Sequence, residues 1–186
     1  MRNPTLTIGL TISTLLAAPV QADAQAAPRS GHVPASDGVN YYYEIHGQGE
    51  PLLLLHGGLM SIDLSGQMLE ALAKERQVIA VVLQGHGRTT LGERPIDLVA
   101  IGNDLAMVVK KLGYDGVDVM GYSFGGMAAF RLAVQHPDLV RRVVIVSAPF
   151  ARDGFFPELL PQQAGVGAGM AEAGRLPPGC STGWGN

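Results

Sequence analysis

The stretch Val117–Gly126, VDVMGYSFGG, reads as a short apolar strand, a sharp turn carrying Ser123, and the glycine-rich start of a helix. Val117, Val119 and Met120 have strand character, and Met127-Ala128-Ala129-Phe130-Arg131-Leu132-Ala133 downstream is a run of helix formers. Between them, Gly121-Tyr122-Ser123-Phe124-Gly125 fits G-x-S-x-G. In a chain with 25 glycines the five letters alone carry little, so the strand before them and the helix after them make the reading. A turn this tight strains the serine backbone and lifts its hydroxyl above the strand end. Gly121 and Gly125 are the positions where a side chain would collide with the neighbouring strand and helix. Ser123 is therefore the candidate nucleophile.

Outward from this stretch, the chain alternates strands and helices. Downstream, the helix opening at Phe124 is expected to end near His136-Pro137, because proline blocks its continuation, and Arg142–Val146 is the next strand. Upstream, Gly31–Pro34 and Val39–Ile45 are predicted strands joined as a hairpin through Ser36-Asp37-Gly38. Alternation sends Tyr42 to the face opposite Tyr41 and Tyr43. Leu52–Leu55 is a continuous apolar run, as in a strand buried on both faces of a parallel sheet. A helix over Ser61–Arg76 follows, with Ser61 a candidate N-cap and Leu64, Met68, Leu72 and Leu69 as its buried stripe. Val78–Leu83 is a strand, and Ile96–Leu112 a helix with core positions Ile101, Leu105, Val108 and Leu112, stopped by Gly113. A hairpin followed by β-α-β-α-β-α-β predicts an α/β fold, a mostly parallel sheet with helices on both faces.

Three motifs in order give the chain a family resemblance between His56 and Pro149. They are His56-Gly57-Gly58-Leu59 after an early strand, the loop Gln84-Gly85-His86-Gly87-Arg88-Thr89, and the turn at Ser123. Together they resemble the α/β-hydrolase superfamily, whose nucleophile elbow is G-x-S-x-G and whose oxyanion loop is His-Gly-Gly. The chain looks most like the small, cofactor-free esterase, peroxidase-like and lactonase-like members, and covers only the first half of that fold. The second motif departs from the family's D-x-x-G-H-G-x-S pattern, with Val82 at the aspartate position and Thr89 at the serine. That loop serves architecture, so the departures leave the chemistry untouched. The resemblance implies a serine hydrolase in which Ser123 attacks an acyl carbonyl. The oxyanion would be held by the backbone N–H groups of Phe124 and of Gly58, which is preferred over Leu59. His56, Gly57, Gly121 and Gly125 would shape the site. An aspartate at the elbow would instead have pointed to a dehalogenase or an epoxide hydrolase. No cofactor and no metal are implied, and the substrate would be a small acyl compound.

The N-terminus reads as a secretory signal peptide over residues 1–24. Arg2 precedes an apolar run from Ile8 to Ala18, and Ala22-Asp23-Ala24 fits a small-residue cleavage site. The protein is then expected outside the cytoplasm, periplasmic or extracellular. The run is too short and too threonine-rich for a membrane span, so no stable membrane insertion follows cleavage. With 47% hydrophobic and 16% charged residues and a net charge of −3, the chain is globular, and no basic stripe suggests nucleic acid. A single cysteine, Cys180, excludes an internal disulfide.

Residues 25–160 read as the N-terminal part of the hydrolase core, and 161–186 as a Gly/Ala/Pro-rich, disordered tail. A cap helix is expected to begin at Ala151–Leu160, with Phe155, Phe156, Leu159 and Leu160 as its apolar side. Family order runs serine, acid, histidine along the chain. Yet His32, His46, His56, His86 and His136 precede the catalytic position, and the tail has neither histidine nor aspartate. The reading is thus a truncated hydrolase with low competence. A non-catalytic binding protein retaining the pocket is the alternative. Among the histidines present, His56 ranks first as a substitute base.

Overall fold

The computed structural model describes residues 27–149 together with Gly154. The expected signal peptide, cap helix and tail therefore lie outside the described residues. Among the described residues six strands form one sheet: β1 (Arg29–Pro34), β2 (Asn40–His46), β3 (Pro51–Leu55), β4 (Gln77–Val81), β5 (Val117–Tyr122) and β6 (Val140–Val146). Their spatial order is β1-β2-β4-β3-β5-β6. The hairpin β1–β2 attaches to β4 antiparallel, and the other pairings are parallel. The hairpin turn puts Asp37 and Gly38 at positive φ, as a tight connection requires.

Among the described residues the α-helices α1 (Gly66–Ala73), α2 (Leu98–Lys111) and α3 (Phe124–Gln135) clothe the sheet. Strand alternation splits the core in two. Leu53, Leu55, Ile79 and Val119 meet Ile101 and Leu105 of α2 and Ala128 and Leu132 of α3 on one face. Leu52, Leu54, Val78 and Ala80 meet Leu69 and Ala73 of α1 on the other. Tyr41 and Tyr42 fall on opposite faces, as alternation predicts, with Tyr43 on the side of Tyr41.

The region Ser61–Arg76 differs from its sequence reading. It is a short 3-10 turn, Ile62–Ser65, followed by an α1 of only eight residues. Ser61 gives no cap, because its hydroxyl donates to Asp63 Oδ2 at 2.9 Å instead of accepting a backbone N–H. The change from 3-10 to α at Gly66 rotates the intended stripe. Leu64 and Met68 are 66% and 40% exposed, while Leu69 and Ala73 point into the core and Leu72 packs against it. Elsewhere the corrections concern boundaries. The strand read as Val78–Leu83 is Gln77–Val81, the helix read as Ile96–Leu112 is Leu98–Lys111, and the last strand starts at Val140. The true start of α2 is set by Asp97, whose carboxylate accepts the Ala100 N–H at 2.7 Å. Gly113 stops it at φ 90°, as expected.

Candidate active site

The C-terminal ends of β3, β4 and β5 carry the three motifs. Ser123 sits between β5 and α3 at φ 51°, ψ −115°, a region that costs a non-glycine residue roughly 1–3 kcal/mol. Packing holds it there. The Ser123 N–H donates to Val146 O at 2.8 Å, and its own carbonyl accepts the Met127 N–H at 3.1 Å. A Cβ on Gly121 would strike the Gly125 carbonyl, and one on Gly125 would strike the carbonyls of Leu55 and His56. Those glycines let α3 start directly against β5 and β3. Although Ser123 occupies the N-cap position of α3, its side chain makes no capping bond. Among the described residues its hydroxyl has no hydrogen-bond partner, so structural duty does not explain it.

Two loops converge beside this serine. Gly57–Met60 forms a turn closed by the Met60 N–H to Gly57 O at 3.3 Å, with Leu59 at φ 61° in the place a glycine would usually fill. A Cβ on Gly58 would lie 3.7 Å from Phe124 Cβ, so the loop and the head of α3 are neighbours. Gly57 has less room, since a Cβ there would come within 2.9 Å of the Tyr122 ring. Phe124 is the first residue of α3, where backbone N–H groups lack intrahelical acceptors and the helix dipole favours negative charge. The amides of Gly58, Leu59 and Phe124 have no acceptor among the described residues.

His56 is not the substitute base. Its ring is buried, and both nitrogens serve the backbone: Nδ1 donates to Gly57 O at 2.7 Å and Nε2 accepts the Leu83 N–H at 2.9 Å. Burial pushes its pKa down to about 4, with nearby His86 adding to the effect and the Gly57 bond opposing it. The ring is a neutral strut between the Gly57–Met60 loop and the segment just past β4. His32 bonds the Arg88 carbonyl, His46 pairs with Glu44, and His136 contacts Asn103 as the C-cap of α3. His86 donates from Nδ1 to Gln84 O at 2.9 Å, stacks on Phe124 with ring centres 5.8 Å apart, and meets His56 edge-on at 5.2 Å. Among the described residues it is the histidine that stacks on the residue next to Ser123, and its Nε2 has no hydrogen-bond partner there.

Thr89 and Gln84 of the loop after β4 tie it to its surroundings. Thr89 Oγ1 donates to Val82 O and accepts the Tyr42 N–H, tying the loop to the sheet. Fully buried Gln84 donates to Leu91 O and accepts from Arg94. Sequence reasoning missed the polar cluster behind it. Arg94 pairs with buried Asp104 of α2, whose carboxylate also accepts from Tyr41 and Ser36. The signal was a lone aspartate at position 104 in an otherwise apolar stripe. Burial, reinforced by the Asp104 charge, pushes the Tyr41 phenol far above its ordinary pKa. Among the described residues no group of acidic, histidine or cysteine side chains could hold a metal, and no helix is long and apolar enough to cross a membrane.

Known proteins share this framework. The soluble epoxide hydrolase of Corynebacterium sp. (strain C12) is 36% identical over 115 residues, covering 62% of this chain and 40% of that protein. The bifunctional esterase/perhydrolase DCH of Acinetobacter calcoaceticus is 34% identical over 122 residues, 63% of this chain and 44% of its own length. This chain thus spans less than half the length of these relatives. Among solved structures, one from work on carboxylesterases of Nitrososphaera gargenis superposes with a TM-score of 0.68 at 26% identity, over 76% of this chain and 53% of that one. The alpha/beta hydrolase fold family matches residues 50–181, which takes in the sheet from β3 to β6 and all three motifs. With the strained serine between strand and helix, this match places the chain in the α/β-hydrolase family.

Proposed function

We propose that the chain is an exported serine hydrolase of the esterase kind, with Ser123 as nucleophile toward a small acyl substrate. The observation that carries the reading is the serine held at φ 51°, whose hydroxyl, like the nearby amides of Phe124 and Gly58, has no hydrogen-bond partner among the described residues. Attack on an acyl carbonyl puts negative charge on its oxygen. The two amides would stabilise it by roughly 3–4 kcal/mol per donor. Gly58 is the second donor ahead of Leu59. The relatives' names span epoxide and ester chemistry, and a serine at the elbow favours the ester side.

Turnover by this chain is weak in the proposal, because four of its five histidines have named partners on the nitrogens a base would use. That commitment also favours the second reading, a pocket that binds without turning over. The test is labelling of the 186-residue chain by a fluorophosphonate, with hydrolysis of nitrophenyl acetate in parallel. Labelling confined to Ser123 and abolished by Ser123→Ala is the expected result. Complete inertness of Ser123 would favour the binding reading. Brisk ester hydrolysis would make His86, not His56, the first base to substitute.

A further inference from the structure

The loop after β4 reaches both of the loops that meet at Ser123. Its Leu83 N–H donates to His56 Nε2 at 2.9 Å, and its His86 ring touches His56 and Phe124 together. The ring meets His56 edge-on with centres 5.2 Å apart, and lies within 26° of parallel to Phe124 at 5.8 Å. Both separations fall in the roughly 4.5–7 Å range of favourable aromatic pairs. His86 is itself held from behind. Its Nδ1 donates to Gln84 O, its backbone N–H donates to Leu83 O at 3.1 Å, and its carbonyl accepts the Thr89 N–H at 2.9 Å. Gly85 and Gly87, at φ 73° and 42°, make the bend that carries the ring there.

Each end of this row of rings bears on one amide. At the His56 end, Nδ1 donates to Gly57 O, and that carbonyl shares one planar trans peptide with the Gly58 N–H. Fixing the carbonyl therefore fixes the N–H, which points the opposite way. The Met60 N–H on the same carbonyl adds a second restraint. At the other end, Phe124 carries its amide on the very residue whose ring is stacked. We propose, resting on the reading of the Phe124 and Gly58 amides as oxyanion donors, that His86 is a positioning residue whose ring sets their separation and mutual orientation. An oxyanion gains from two donors only when both reach it at hydrogen-bond distance, so loosening one support weakens the pair.

The test uses the 186-residue chain. His86→Ala removes the ring, and His86→Asn removes it while retaining a donor toward Gln84 O. His86→Phe keeps a ring and removes the ionisable nitrogens. One readout is the rate of Ser123 labelling by a fluorophosphonate. The other is hydrogen exchange, by mass spectrometry, of the Met60 amide that closes the turn on Gly57 O. His86→Ala and His86→Asn should slow labelling about ten-fold, less than outright loss of a donor, and should quicken Met60 exchange. His86→Phe should stay near the parent in both. His86→Ala combined with Phe124→Leu should be no slower than the worse single variant, because both break one stack. Urea midpoints check that each variant is folded under the labelling conditions. Parental labelling rates in both ring-less variants would overturn the proposal, as would additive losses in the double variant. His86→Phe as slow as His86→Ala would overturn it too, and would make His86 a proton acceptor instead. A parent whose Ser123 resists labelling while Met60 exchange still follows the ring would sink the nucleophile and leave the positioning role supported. Exchange unchanged in every variant would sink the positioning role, whatever Ser123 does.

Discussion

His56 shows how one residue couples the active-site loop to stability. Its pKa is depressed from an ordinary 6.5 to about 4, so between those values the unfolded chain takes up a proton that the folded chain refuses. Stability is then full above pH 6.5 and declines as pH falls toward 4, by about 3 kcal/mol at most. Urea midpoints at pH 7.5 and pH 4.5 check this. A His56→Asn variant should start less stable and lose most of the pH dependence. The glycines make an equally sharp contrast. Gly125→Ala forces a methyl into two backbone carbonyls and should cost more than about 3 kcal/mol of stability. Gly58→Ala meets only an ordinary contact at 3.7 Å and should cost under about 1 kcal/mol. A bulkier residue at Gly58 should still fold but slow Ser123 labelling, by crowding the space where the oxyanion would sit.

Among elements, α2 is held by charge as well as by its apolar stripe. Asp104 is 2% exposed and joins Arg94, Tyr41 and Ser36, so the helix, β2 and the hairpin turn share one carboxylate. Asp104→Ala leaves the largely buried Arg94 guanidinium with only a longer pairing to partly exposed Asp37 and hydrogen bonds to Ser36 and Gln84, and should cost about 3 kcal/mol in urea unfolding. Replacing both partners, as Asp104→Leu with Arg94→Met, should recover much of that loss. A double variant as unstable as Asp104→Ala would count against the ion pair as the cause. This cluster marks where the sequence stopped being legible. A 3.6-residue stripe exposed α2, a continuous apolar run exposed β3, and the apolar stretch before the turn and the helix formers after it exposed β5 and α3. The elbow glycines were readable because their contacts lie within a few residues or in the next motif. Asp104 meets Tyr41 and Ser36 more than 60 residues away, and no local pattern announces that. Nor did His56 reveal whether its nitrogens face the substrate or the backbone. For α1 the stripe was misread at Leu64 and Met68, because the sequence does not show that a 3-10 turn over Ile62–Ser65 precedes the helix and shifts its buried face to Leu69 and Ala73.

At the scale of the molecule, the described sheet has β1 of the hairpin at one edge and β6 at the other, where Val143, Val144 and Ile145 are 38–52% exposed among the described residues. A bare apolar edge invites association. We expect the 186-residue chain to sediment with a concentration-dependent mass and to melt broadly, and a Val144→Lys variant to shift it toward monomer. A sharp melt from a strict monomer would refute this. Export is a separate expectation, checked by N-terminal sequencing of secreted material, which should begin near Gln25. The strand order has a further consequence, in the order of events during synthesis. Leu52–Leu55 is made early, but β3 pairs with β4 and then with β5, whose residues 117–122 follow about sixty positions later. Four consecutive leucines therefore wait with one edge unpaired while the ribosome finishes the middle of the protein. Such non-local pairing is slow and leaves sticky surface exposed. During translation this strand, at the centre of the finished sheet, is the segment a chaperone would have to hold longest.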